Sequence, residues 1–219
     1  MTDWATAGSS LATAGGTLVL AVATFASVRS SNRSARTADR AARIAEQSLL
    51  AGRRPLLVNS RLQDPQQKID FSEGKWLAVP GGRAGLELTE DVVYLAVSIR
   101  NVGTGVAVLH GWHLRAGVQH ERSHPALEEF TSQVRDIYLA PGDIGFWQGT
   151  LRDPAAAQFK VVAAAIGAGD PLMLSLLYGD YEGGQRVISQ FTLRGEGESW
   201  LTSVARHFNV DRPDPRELS

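Results

Sequence analysis

The stretch VVYLAVSIRNVGTGVAVLHGWHL, residues 92–114, decides how the body of this chain is read. In a strand, successive side chains alternate between two faces. Val93, Leu95, Val97 and Ile99 then share one apolar face, while Tyr94, Ser98 and Arg100 take the other. NVGTG supplies the glycines of a turn. VAVLHGWHL resumes the alternation, with Val106, Val108, His110, Trp112 and Leu114 in register. Period-two alternation on both sides of a glycine-rich turn predicts antiparallel strands with one face in a core.

The same texture extends from Pro55 onward. RPLLVNSRL and KWLAVP read as short strands, and IYLAPGDIGFWQGTL as two strands around a Pro141-Gly142 turn. PLMLSLLYGDYEGGQRVISQFTLRG reads as a hairpin with Asp180 to Gly184 as its loop. Its first arm is continuous enough to be buried on both faces. DPAAAQFKVVAAAI interrupts as a helix, with Asp153 as N-cap, Pro154 at the first helical position and Gly167 ending it. SWLTSVARHF suggests a second short helix, capped by Ser199, with Leu201, Val204, Ala205 and Phe208 on one face. Seven or eight short strands predict two packed antiparallel sheets, an immunoglobulin-like β-sandwich in the loose sense without the Cys…Trp…Cys hallmark.

The N-terminus differs. From Ala5 to Val28 no residue is charged. As a helix, 24 residues span about 36 Å, enough for the ~30 Å hydrocarbon core of a bilayer. Asp3 precedes this stretch, and Arg29, Arg33, Arg36, Arg40 and Arg43 follow it. The positive-inside rule then predicts a single-pass cell-membrane protein, N-terminus outside and main domain cytoplasmic. No proline or glycine interrupts the chain between Arg29 and Gly52, so the transmembrane helix continues into a juxtamembrane helix. Ala35, Ala38, Ala42, Ala45 and Leu49 fall at a/d heptad spacing. Gly8, Ala12 and Gly16 form a small-xxx-small ladder. Together these are the candidate residues for helix self-association and a homo-dimer. Arg29, Arg33 and Arg36 are the candidates for lipid headgroups. The chain thus reads as mostly β, organised as a transmembrane anchor over 1–28, a basic juxtamembrane helix over 29–53, a β-sandwich domain over 54–208 with one or two short helices, and a polar tail over 209–219.

Composition narrows the function. There is no cysteine, which excludes disulfides, thiolate metal sites and a cysteine nucleophile. The net charge of −1 conceals a collar of +5 from Arg29 to Arg54 and a body of −5 beyond it. An acidic body disfavours nucleic acid as a partner. The order of features also resembles a diffuse group of uncharacterised bacterial membrane-anchored proteins with an immunoglobulin-like domain, in an alanine- and arginine-rich, actinobacterial-looking composition. The residues that carry it are the Arg54-Pro55 strand start, N-x-G-x-G-x-A (Asn101, Gly103, Gly105, Ala107), L-x-P-G (Leu139 to Gly142) and Y-x-D-x-x-G (Tyr178, Asp180, Gly183). These are turn-making motifs, and the resemblance implies no catalytic residue.

Four of the five histidines lie in HGWHLRAGVQHERSH, residues 110–124. In a strand His110 and His113 point to opposite faces, and cannot share one ion unless a bulge at Gly111 re-aims one. His120 and His124, with Glu121 between them, stand in the HExxH order as HERSH, but in a polar loop where Gly117 before and Pro125 after leave little room for the helix that such a zinc site needs. His110, His120, His124 and Glu121 are the candidate metal ligands. No other catalytic signature is present: PGGRAG lacks the lysine-serine end of a phosphate loop, and there is no G-x-S-x-G elbow. The leading expectation is a membrane-anchored, non-enzymatic interaction or scaffold module, without cofactor, that meets lipids through its anchor and an unknown protein through its loops. The alternatives are a metal-assisted hydrolase built on the His110–His124 cluster and a homo-oligomeric structural or sensor stalk.

Overall fold

The computed structural model describes residues 3–118, 123–197 and 199–212; in the N-terminal helix the side chains at 3–19, 21–23, 50 and 51 lie outside the description. The chain divides into two compact units, Met1–Leu49 and Leu50–Ser219.

The first unit is almost all of α1 (Asp3–Gly52). It is alanine-rich and free of proline, so nothing breaks it before Gly52. Arg43 bonds Asp39 at 2.9 Å in an i,i+4 pair, and Thr37 Oγ1 donates to the Arg33 carbonyl. Among the described residues, no helix is long and apolar enough to cross a membrane. This corrects the expected single-pass anchor over 1–28, and with it the cell-membrane localisation and the outside/cytoplasmic orientation. The physical reason is dilution. Seventeen of the 24 residues from Ala5 to Val28 are alanine, threonine, serine or glycine. These contribute far less transfer free energy than leucine, isoleucine or phenylalanine. Ala35, Ala38, Ala42, Ala45 and Leu49 are all exposed, whereas the side-chain positions of Gly8, Ala12 and Gly16 lie outside the described residues.

The second unit is mostly β. Its strands are β1 (Leu57–Asn59), β2 (Gln67–Asp70), β3 (Trp76–Val79), β4 (Arg83–Leu88), β5 (Val93–Asn101), β6 (Ala107–Ala116), β7 (Thr131–Ser132), β8 (Tyr138–Leu139), β9 (Ile144–Leu151), β10 (Leu172–Asp180), β11 (Arg186–Glu196) and β12 (Ser199–Asn209). Among the described residues, one helix, α2 (Ala157–Ala168), and a single 3-10 turn, Leu127–Glu129, complete it. All pairings are antiparallel, and they make one ten-stranded sheet and a separate β2–β3 pair. The path is continuous. β9 pairs β5, whose other side is shared by β4 and β1. β4 meets β12 over two residues, Ala84 opposite Trp200 and Arg83 opposite Leu201. The path then runs through β11, β10 and β6 to β7 and β8. In place of the two separate sheets expected, one sheet folds back on itself. Trp112 of β6 and Trp147 of β9, near opposite ends of the path, meet edge to face at 5.3 Å.

The main core lies inside this fold. It joins Val93, Leu95, Val97 and Ile99 of β5 with residues of β10 and β11, including Leu174, Tyr178 and Phe191, and with Phe159 and Val162 of α2. Fully burying each such side chain contributes about 1.5–3 kcal/mol relative to exposure. The β2–β3 pair covers the outer face of β5, where Ile69, Phe71 and Val79 pack on Tyr94 and Ala96. That second cover is why β5 is buried on both faces.

Three local expectations are corrected. SWLTSVARHF is not a helix but most of β12, whose register with β11 shifts at Gln190/Phe191 and leaves Ala205 unpaired. The bulge moves Val204 and Phe208, four residues apart, onto opposite faces: Val204 packs on the main core, Phe208 on Leu177 and Ile188. The four-residue interval therefore marks neither a helix face nor a single face of the strand. Second, α2 is capped by Ala156 and ends at Gly169, which takes the left-handed conformation at φ 71°. Asp153 instead accepts from the Ala155 amide in the turn before it, and Gly167 lies inside the helix. Third, β6 bulges at His110. Leu177 opposes Gly111 and Tyr178 opposes Leu109, so the inward residues are Ala107, Leu109, Trp112 and Leu114.

Candidate functional site

A strand at the end of a sheet leaves a row of backbone donors and acceptors unpaired. β9 is such a strand: β5 takes one edge along its whole length. In an antiparallel strand the N–H and C=O of one residue point to the same side, and the side alternates. The Gln148 carbonyl accepts from Gln133 Nε2 at 3.4 Å, on the side away from β5. Phe146 and Thr150, two residues either way, therefore present their backbone groups to that same open side. β7 closes the opposite bank. Its Thr131 and Ser132 pair with Trp112 and Gly111, and the Gln133 amide donates to the His110 carbonyl.

Between the two edges lies a cleft of about 470 Å³, with Trp112 in its wall and Gln133, Arg135, Gln148 and Arg152 around it. Gln133 spans it with its amide group, in the place where a strand's own N–H would sit. The Oε1 atoms of Gln133 and Gln148 are buried and have no hydrogen-bond partner among the described residues. Buried polar groups without partners cost free energy, and such groups mark a place for water or a ligand. At one rim Glu73 accepts from the Tyr94 hydroxyl at 2.7 Å and pairs with Arg152. The Tyr94 hydrogen bond and then Arg152 hold the Glu73 carboxyl below its usual range. Arg135 is exposed and makes no ion pair among the described residues.

The described candidate metal ligands, His110 and His124, have separate neighbours. His110 stands at the bulge on β6, its imidazole over Gly179. Partial burial, and then Arg186, push it below the ordinary histidine value. His113 lies by Phe130, with ring centroids 6.1 Å apart, and burial depresses it as well. His124 packs edge to face on Phe208 at 5.1 Å, and its Nδ1 bonds the Pro125 carbonyl. His120 and Glu121 lie outside the described residues. No group of three or more metal-ligating side chains comes together among the described residues. A bulge in this segment was the condition for re-aiming a histidine; it falls at His110 and turns that ring toward Gly179. Arg29, Arg33 and Arg36 lie on one side of α1 with Phe25 and Val28; the headgroup role expected of them rested on the anchor corrected above.

Sequence reasoning missed the cleft. Gln133 and Gln148 sit in TSQVR and FWQGT, and nothing in their spacing relates them. The one available signal was FWQGTL itself, a strand interrupted by Gly149, and a glycine inside a strand marks a place where another backbone approaches closely.

The chain matches no known family and no solved structure. A stretch of 95 residues is 34% identical to part of an adenine deaminase of Desulforamulus reducens. It covers 40% of this chain and 16% of that protein, so the chain spans less than a fifth of the length of the curated relative it matches.

Proposed function

We propose that this protein is a non-enzymatic interaction module whose second unit takes an extended segment of a partner protein along the open edge of β9. The observation that carries the reading is the pair of facing strand edges, β9 and β7, bridged by the Gln133 side chain over a cleft of ligand-binding size. Adding a strand to an exposed edge gives affinity through the backbone and specificity through side-chain pockets. The folded-back sheet, immunoglobulin-like in the loose layered sense, would act as the rigid platform. Arg135, exposed and without an ion pair among the described residues, favours a segment bearing a carboxylate near the β7 bank.

A photo-reactive residue at position 133 in the full chain tests this in cells. The expected result is a crosslinked protein that is absent when the same residue is placed at Glu182. Thr150→Pro, which removes an outward N–H without touching the β5 ladder, should abolish the adduct. An adduct unchanged by Thr150→Pro, or none from position 133, overturns the reading. So does release of ammonia from adenine by the purified chain, which would move the likeness to the deaminase from a shared stretch to a shared activity.

A second reading, a homo-oligomeric stalk, is favoured by the exposure of Val28, Ile44 and Leu49 along α1. Alanine-rich seams bury little area, so the association would be weak. Ala38→Glu with Ala42→Glu should remove chemically crosslinked dimers; dimers that persist exclude the heptad seam.

A further inference from the structure

A second cleft, lined by other residues than the β9–β7 cleft, holds a carboxylate that the fold leaves half used. Asp180 ends β10 and is 6% exposed. Its Oδ1 accepts from the Gly184 amide at 2.7 Å and shapes the hairpin loop. Its Oδ2 is buried and has no hydrogen-bond partner among the described residues. A buried carboxylate oxygen without a donor is costly, because it has given up water for nothing. Asp180 lines a cleft of about 290 Å³ together with Arg53, Val106, Pro141, Tyr181 and Glu182. Arg53 and Glu182 form an exposed ion pair and cancel each other's charge. Asp180 makes no ion pair among the described residues, and its charge is felt by His110. Val106 and Pro141 supply apolar wall, and Tyr181, 74% exposed, presents a ring beside Tyr138.

We propose that this cleft binds a small organic monocation, a protonated amine with a short alkyl body. On binding, the Asp180 side chain turns its buried Oδ2 toward the cleft, where the ammonium N–H groups supply the donors it lacks. The Tyr181 ring adds a face that attracts a cation. The alkyl body rests against Val106 and Pro141. A divalent metal is a poorer fit, since such ions require several oxygen ligands and the cleft offers one unpaired carboxylate. The exposed Arg53–Glu182 pair is no barrier to entry, because exposed pairs contribute little and reorganise readily. The inference does not rest on the β9 edge, and either can fail without the other.

The test is titration of the full chain with n-butylammonium chloride, read by calorimetry and by the amide resonances of Thr104, Gly105 and Tyr181. Saturable binding with shifts centred on those three amides is expected. Asp180→Asn keeps a carbonyl oxygen for the Gly184 amide but loses the charge, and should weaken binding at least tenfold. Val106→Trp fills the cleft without touching Asp180, and should abolish binding; its melting curve reports that the fold is kept. Absence of saturable binding at millimolar amine, wild-type affinity in Asp180→Asn, or wild-type affinity in a folded Val106→Trp each overturns the proposal.

Discussion

Two buried residues show how single side chains hold this sheet closed. Asn101 satisfies all of its hydrogen-bonding capacity inside the protein. It donates to the carbonyls of Gly105 and Leu139 and accepts from the amides of Leu56 and Gly103. Asn101→Ala strands those four groups at once and should cost about 2–4 kcal/mol in urea unfolding. Tyr178 is the second. Its hydroxyl accepts from the Leu57 amide at 3.0 Å and meets Ser189 Oγ at 2.8 Å, and Ser189 in turn reaches the Leu57 carbonyl and His207. Burial pushes the phenol from 10.0 up to about 12. The folded state therefore holds this proton where the unfolded state releases it. The associated stability is fully present below pH ~10 and is lost as pH rises toward about 12, up to roughly 3 kcal/mol. Tyr178→Phe should be less stable at neutral pH by about 1–3 kcal/mol and show a flatter decline in that window. His110 and His113 shift the other way. Their midpoints in an NMR titration should fall below 6.5, and their contribution is present above that pH and lost on acidification. From the sequence, Asn101 was legible as a turn former and Tyr178 as a strand residue. Their partners were not, since Leu56 lies 45 residues from Asn101 and Leu57 lies 121 from Tyr178.

At the scale of elements, α2 offers a paired experiment. Gly169 closes the helix at φ 71°, so Gly169→Ala forces a side chain into the left-handed region and should cost about 1–2 kcal/mol. Gly167 lies within the helix with nothing within 4 Å of an added Cβ. Gly167→Ala should stabilise by roughly 0.5–1 kcal/mol in thermal unfolding. If Gly167 were the terminator, as its position in AAAIGAG suggests, the two results would exchange. Most strands were legible because apolar runs bounded by turn residues stand out wherever the ladder is regular, as in β5 and in the β10–β11 hairpin, which are buried on both faces. Alternation failed at β6 and β12 for one reason: a bulge adds a residue to one strand alone. The phase of burial then reverses midway, and 204 and 208 in β12, an even interval apart, fall on opposite faces. The extra residue is invisible without the partner strand against which it is extra.

For the whole molecule, the order of strands along the sheet was the least legible property. β1 and β4 share one edge of β5, and β4 reaches β12 through two residues; neither arrangement leaves a periodic trace. The cleft between β9 and β7 follows from that order, and so was hidden with it. A unit of this size buries most of its unfolded-chain surface and folds on its own. Residues 50–219 expressed alone should retain a β-type far-UV spectrum and one cooperative thermal transition; a broad, non-cooperative melt would show that the first unit is needed.

The short β4–β12 seam also has a consequence in time. The arms of the β10–β11 hairpin are neighbours in the chain, whereas Ala84 and Trp200 are more than a hundred residues apart. Distant pairings must pay loop-closure entropy before they return any contact energy, so sheets rich in them fold in milliseconds to seconds. The hairpin is expected to be structured in the rate-limiting transition state, and the seam to zip afterwards. In stopped-flow experiments, Leu174→Ala should slow refolding. Trp200→Phe, at the seam, should leave refolding almost unchanged and accelerate unfolding. The same two residue pairs that make the sheet continuous would then set how long the folded protein lasts once it has formed.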